Sequence, residues 1–298
     1  MTRRAVIFSA PDLQVSQDCA NGVAAALGCP AVVNCDLGAL ASLGTDDFAL
    51  VRGLRGNNGK AAEMLRERGV PTVILDAGWY PGNSRFRLAI GGLNWIHPGS
   101  CPEWRARECG LIFEPIQRDP NGYILLLGQA RRDVGHGIDI DAWASETLVA
   151  IRCHTKRRVM WRPHPNHRHA LAGADIQDIP PRPLGHSEGF ERGLEAAVRG
   201  AWAVVTYNSS AALEALRLGV PLFADAASVF YMKGVAYSAT DCTEAMGKDW
   251  LYGCWQQDSE DTVTTPQPFL NCVAFSQWTQ AELSTPLPWG ILQPAEAA

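Results

Sequence analysis

The sequence has no uninterrupted apolar run approaching the ~18 residues that a bilayer-spanning helix needs. Its start, Met1-Thr2-Arg3-Arg4-Ala5-Val6-Ile7-Phe8, lacks the longer apolar stretch and the cleavage site of a signal peptide. It reads as the first strand of a cytoplasmic protein. None of the nine cysteines sit as C-x-x-C. Their odd number and scatter fit reduced thiols in a cytosolic enzyme, and exclude a disulfide framework or a zinc ribbon. The absence of G-x-x-x-x-G-K-[ST] removes a P-loop. No complete G-x-G-x-x-G follows the first strand, which disfavours nicotinamide chemistry. No G-x-S-x-G elbow occurs, which weakens a hydrolase reading. Charge is also scarce. Asp, Glu, Lys and Arg make up 19% of the chain, below the roughly 25% of average soluble proteins. The net charge of −5 argues against a broadly cationic surface.

What is present is core material. Hydrophobic residues are 47% of 298, comfortable for two domains. Both halves repeat one grammar of short apolar strand, loop and helix. Strands are expected at Ala5–Ser9, Ala31–Val33, Pro71–Asp76 and Arg85–Ile90, with helices near Gln17–Leu27 and over Ala61–Arg68. Gly69 stops the second helix. The polar, turn-rich segment Gln117-Arg118-Asp119-Pro120-Asn121-Gly122 marks a boundary. Strands then follow at Tyr123–Leu127, Arg158–Trp161, Ala203–Thr206 and Pro221–Ala224. Helices are expected at Asp141–Ile151, Phe190–Arg199 and Ala211–Leu218. Alternation of this kind implies α/β architecture with parallel sheets and right-handed crossovers. The tail, Asn271–Leu283, reads as an amphipathic helix. The expected division is 1–117, 118–268 and a returning tail, 269–298.

Three strand ends carry residues suited to chemistry, and ligands of open α/β sheets bind at carboxyl ends of strands. In Trp161-Arg162-Pro163-His164-Pro165, two prolines stiffen the mount of an imidazole and hold its neighbours extended. Arg162 and His164 suit a phosphate; a plain surface turn is the competing reading. In Thr206-Tyr207-Asn208-Ser209-Ser210-Ala211, a buried strand runs into hydroxyl residues and a helix start. That pattern serves phosphate binding and ordinary capping alike. Glu214, one turn on, is placed either at a ribose or on a solvated helix face. In Leu75-Asp76-Ala77-Gly78-Trp79, the carboxylate serves either as a general base or as a turn cap.

Together these segments resemble the nucleotide-sugar glycosyltransferases of the GT-B fold with an HP and an SS motif, the bacterial polysialyltransferases and capsule Kdo transferases. HP corresponds to His164-Pro165 and SS to Ser209-Ser210. The acid-acid-Gly motif corresponds to Asp76-Ala77-Gly78, with Ala in the middle. The stretch Asp76–Asn94 with Gly91-Gly92-Leu93-Asn94, the stretch Asn208–Pro221 and Gln277-Trp278-Thr279 also look like small glycosyltransferase-like proteins of tailed phages.

The resemblance implies two Rossmann-like domains facing across a cleft, a C-terminal helix returning to the first, and nucleotide-sugar-dependent transfer. It implies Asp76 and His164 in catalysis. Gly128, Gln129, Arg162, His164, Asn208, Ser209, Ser210 and Glu214 would bind the donor, and Gly78, Trp79, Arg85 and Asn94 the acceptor. The nucleotide-sugar is a co-substrate, no metal or other cofactor is required, and the membrane is not entered. The acceptor implied is a 5-hydroxymethylpyrimidine of phage DNA, which must be flipped out of the duplex, in a host cytoplasm. Capsule-type glycan is the alternative, and an epimerase-like or non-catalytic nucleotide-binding protein is a different class. A local basic surface at Arg52, Arg55, Lys60, Arg85 and Arg87 would serve DNA. Trp79, Trp95 and Trp104 would stack an acceptor.

Two patterns are set aside. His164, His167 and His169 form H-x-x-H-x-H beside Cys153 and His154, but no second cluster completes a metal set at a familiar spacing. Asp139-Ile140-Asp141 matches D-x-D, yet it precedes a helix and reads as a cap.

Overall fold

The computed structural model describes residues 3–10, 13–54, 56–79, 85–90, 95–129, 138–165, 167, 169–176, 188–231, 235–238 and 265–292. Asn94, Arg55 and the Gly91-Gly92-Leu93 run lie outside them. Two compact units emerge. One comprises residues 1–98 and 275–298, the other 99–274.

The first unit is built on β1 (Ala5–Phe8), α1 (Gln14–Leu27), β2 (Ala31–Asn34), α2 (Leu37–Leu40), β3 (Phe48–Arg52), α3 (Asn57–Glu67), β4 (Thr72–Ala77) and β5 (Phe86–Ile90). Gly28 (φ 63°) and Gly69 (φ 68°) end α1 and α3 in the left-handed conformation that side chains resist. Strand order is β12-β5-β4-β3-β1-β2, with β12 the segment Gln277–Trp278. The first four strands pair in parallel, whereas β5 runs antiparallel to β4, a departure from the all-parallel expectation. Side chains alternate across this sheet with period two. Ile7, Leu50, Val73 and Leu75 face α1 residues such as Val15, Cys19 and Val23. Phe8, Val51 and Ile74 face Leu40, Ala61 and Leu65 of α2 and α3.

The tail completes this sheet and is not one helix. Helix α8 (Gln267–Phe275) stops, β12 (Gln277–Trp278) pairs antiparallel with β5, and α9 (Gln280–Leu283) restarts. The restart is driven by a capping box between Thr279 and Glu282. A 3-10 helix, Leu287–Leu292, follows. The break seats Trp278 and Trp289, both buried, in the α1-side core. Gly22 of α1 has no room for a side chain: a Cβ would meet Leu283 O and Trp289 Nε1.

The second unit holds α4 (Glu103–Cys109), β6 (Tyr123–Leu127), α5 (Ile140–His154), β7 (Val159–Arg162), β8 (Asp175–Ile176), α6 (Glu188–Arg199), β9 (Ala201–Thr206), α7 (Ala212–Arg217), β10 (Leu222–Ala224), β11 (Tyr237–Ser238) and α8 to Ala274. Its order is β11-β10-β9-β6-β7-β8, parallel throughout. This unit begins at Gly99, not at 118, because the segment before β6 is tied to it. Phe113 N donates to Gln267 Oε1 (2.7 Å), and Glu114 N and Ile116 N donate to Arg217 O and Leu218 O. The turn-rich segment at 117–122 is thus a loop inside the unit. Ile124, Leu126, Val159 and Trp161 pack on Ala144, Leu148 and Ile151 of α5. Among the described residues no helix is long and apolar enough to cross a membrane.

Candidate functional site

In the second unit, strands counted from β6 lie in the order 3-2-1-4-5-6. The chain reverses direction of winding between β6 and β9, and the crevice outside such a switch point is where doubly wound sheets bind ligands. Three of the expected segments meet there. Gly128 follows β6, and a Cβ on it would stand 2.9 Å from His164 N and 3.0 Å from Trp161. Only a glycine lets the end of β6 and the Pro163-His164-Pro165 turn approach this closely. Gly128 N donates to Arg162 O (2.8 Å). Gln129 Oε1 in turn accepts from Asn208 N (3.1 Å). One chain of contacts therefore joins the His164 turn to the Asn208-Ser209-Ser210 turn.

Both turns are held from behind. His167 N donates to His164 O (2.8 Å). Ser209 N donates to Thr206 Oγ1 (3.0 Å), and Asn208 Oδ1 accepts from Ser228 Oγ and Val229 N. Ser210 is exposed, while His164 and Ser209 are half-buried. The amides of Ala211, Ala212 and Leu213 are taken by Ser209 Oγ, Ser209 O and Ser210 O. These three amides are therefore already engaged within the turn.

Two expected donor residues sit elsewhere. Arg162 is 5% exposed. It alternates with Trp161 onto the other face of β7, where burial pulls its guanidinium down to about 10 and Tyr123 partly offsets this. It remains a cation at neutral pH, but in the interior. Glu214 is 3% exposed. Both carboxylate oxygens go to Arg217, at 2.5 Å and 3.3 Å, so a ribose would have to displace an ion pair.

In the first unit, Asp76 lies near the carboxyl end of β4 and pairs with Arg87 (3.0 Å). Arg87 also stacks over Trp79 at 4.7 Å. Gly78 N donates to Arg85 O (2.8 Å), and a Cβ there would meet Arg85 O and Gln277 Oε1. Arg85 stands 3.8 Å from Glu282. Asp76, Gly78, Trp79 and Arg85 are thus one cluster. Arg87 is buried and committed to Asp76, so it leaves the expected basic surface. Trp104 lies on α4 of the second unit, and Trp95 packs on the α2/α3 core. Neither belongs to the Asp76 cluster.

Sequence reading missed a cleft of about 410 Å³ lined by Phe8, Ser9, Ala10, Leu13, Cys35, Arg52, Asn57 and Asn58. It opens at the ends of β1, β2 and β3. The first five strands lie in the order 2-1-3-4-5, so this is that unit's own switch point, between β1 and β3. The signal was the apolar run Phe48–Val51 ending in Arg52-Gly53, whose strand was not among those expected. Among the described residues, one set has metal-ligand geometry: Asp141, His167 and His169, with ligand atoms within 4.8 Å of one another.

Among solved structures the chain is similar to Thermosulfurimonas dismutans KpsC, β-Kdo 2,4-transferase. The identity is 13%, the TM-score is 0.54, and the match covers 91% of this chain and 90% of that one. A second structure, Thermosulfurimonas dismutans KpsC, β-Kdo 2,7-transferase, matches at 13% identity and a TM-score of 0.51, with the same coverage. The fold is GT-B. No family model matches, and no curated protein matches by sequence.

Proposed function

We propose that this chain moves a sugar from a nucleotide-sugar donor to an acceptor hydroxyl. The observation that carries the reading is the junction of Gly128-Gln129, His164 and Asn208–Ser210 at the switch point of a 3-2-1-4-5-6 sheet. Sugar transfer expels a nucleoside phosphate on which negative charge grows. Preorganised donors aimed at that charge supply the largest catalytic effect. His164 and the Ser209 and Ser210 hydroxyls are such donors, on turns fixed by backbone contacts. The GT-B fold and its Kdo-transferase neighbours support the same class.

Donor binding is assigned to the second unit and acceptor binding to the first. Asp76 is the base that takes the acceptor's proton, with Arg87 orienting its carboxylate. The transfer step uses no metal in this reading, the leaving phosphate being met by the His164 imidazole and the Ser209 and Ser210 hydroxyls. A sugar hydroxyl is the favoured acceptor. The neighbours are Kdo transferases, the net charge is −5, and Arg87 is withdrawn from the basic surface that DNA would need.

The test pairs a panel of nucleotide-sugars with Kdo-type glycans, with hydroxymethylated DNA and with no acceptor, followed by mass spectrometry. Glycan adducts support the reading, and DNA adducts replace the acceptor. Donor isomerised without acceptor points to an epimerase, and donor bound without turnover to a scaffold. His164→Ala is expected to lower kcat/KM by about a hundredfold or more. Asp76→Asn is expected to lower kcat by ~10²–10⁴; near-normal turnover would assign the base elsewhere.

A further inference from the structure

Because β6 and β7 are parallel neighbours, the start of α5, which follows β6, lies at the end of the sheet where β7 ends. This brings together two patterns that are remote in sequence. Asp141, in the first turn of α5, meets His167 and His169 from the segment after β7. His167 Nε2 lies 2.8 Å from Asp141 Oδ1, and His169 Nε2 lies 3.2 Å from the same oxygen. The two imidazole rings are 4.6 Å apart, centre to centre. Two ligands of a tetrahedral zinc with bonds of ~2.1 Å stand roughly 3.4 Å apart, so the three atoms converge at close to that scale.

A second observation concerns His169. Both of its ring nitrogens are shielded from solvent, and among the described residues neither has a hydrogen-bond partner beyond the ion-pair contact of Nε2 with Asp141. Shielded polar atoms are nearly always satisfied, so this ring is posed for something else. Its pose is fixed from outside. Trp161, in the core, donates its Nε1–H to His169 O (2.9 Å) and packs edge-on against the ring at 5.1 Å. Asp141 need not cap α5, because Asp139 does so, accepting from the amides of Asp141 and Ala142. Its carboxylate turns to the histidines instead.

We propose that Asp141, His167 and His169 bind one divalent ion of the zinc class, through one carboxylate oxygen and two imidazole nitrogens, with water in the fourth position. Two imidazoles and a carboxylate favour zinc, cobalt or nickel over magnesium or calcium, which take all-oxygen shells. The ion cross-links α5 to the turn that presents His164, since His167 is bonded through its backbone to His164 O. It is a pin for that turn, distinct from the phosphate-binding groups, and the site stands whether or not the chain is a transferase.

The test uses the full chain, stripped with chelator and dialysed. Zinc is titrated calorimetrically, and cobalt is followed by its visible d–d absorption. One ion per chain is expected, with a tetrahedral cobalt spectrum and no thiolate-to-cobalt charge transfer, because no cysteine takes part. Magnesium and calcium should give no heat. His169→Ala and Asp141→Asn should each weaken zinc by about a hundredfold or more. Circular dichroism of each variant checks folding, and Asp141→Asn keeps the shape of the side chain. Failure of the stripped chain to bind zinc would overturn the proposal, as would wild-type affinity in both variants or a thiolate band.

Discussion

Gly128 shows how one residue sets the candidate donor site. The space where its Cβ would sit is already filled by His164 N at 2.9 Å, a backbone atom that cannot swing aside. Gly128→Ala therefore forces the end of β6 away from the His164 turn. Overpacking of this kind costs about 1–3 kcal/mol, and the displaced imidazole should cost more in kcat/KM than in stability. Melting temperature and donor turnover, measured together, check this. At the opposite end of the first sheet, Asp47 accepts from Arg4 N, Arg4 Nε, Arg4 Nη2 and Gly44 N. Arg4 above all, with the Gly44 amide, pulls this carboxyl from 3.8 to about 2. A depressed carboxyl stabilises the folded state above its unfolded value and loses that contribution as the pH falls. The melting-temperature gap between the wild type and Asp47→Asn should be constant above about pH 4 and close towards pH 2.

Elements show what a sequence can and cannot say about packing. Tyr123–Leu127 is legible because five apolar residues end at a glycine, and the strand has those bounds. Phe48–Arg52 is as apolar but follows a four-residue helix too short to set a rhythm. The tail fails for a different reason. Its apolar spacing over 271–283 fits a helix, but the edge of β5 needs a partner, and pairing it puts Gln277 and Trp278 into strand. That demand comes from a strand almost two hundred residues earlier, beyond any local pattern. The fit of α1 to the tail makes a prediction at this scale. Gly22→Ala places a methyl against Leu283 O and Trp289 Nε1, backbone and buried indole. It should destabilise the first unit by ~1–3 kcal/mol or more, read by denaturant unfolding, while hydrogen exchange in β6 and β9 stays unchanged.

For the molecule as a whole, two α/β units and the residue types at their strand ends were legible from alternation and short motifs. The strand orders were not, because they depend on which edges pair. Those orders open a cleft between β1 and β3, where Arg52 and Asn58 stand. They also bring Asp141 to two histidines that the linear pattern left apart. The tail gives the prediction at this scale. Ending the chain at Ala274 removes Trp278 and Trp289 from a buried cluster. Losing one such side chain costs about 3–5 kcal/mol, and losing both rivals a typical total stability of about 5–15 kcal/mol. The shortened protein should lose exchange protection in β1, β3 and β4 and keep it in β6 and β9.

The same arrangement constrains biosynthesis. Strand β12, with Trp278, and Trp289 beyond it leave the ribosome only after the whole of Gly99–Ala274 has been translated. At about 5–20 residues per second, an incomplete sheet waits roughly 10–35 s with its apolar rim uncovered. During that interval the nascent chain exposes the apolar surface that Trp278 and Trp289 later cover.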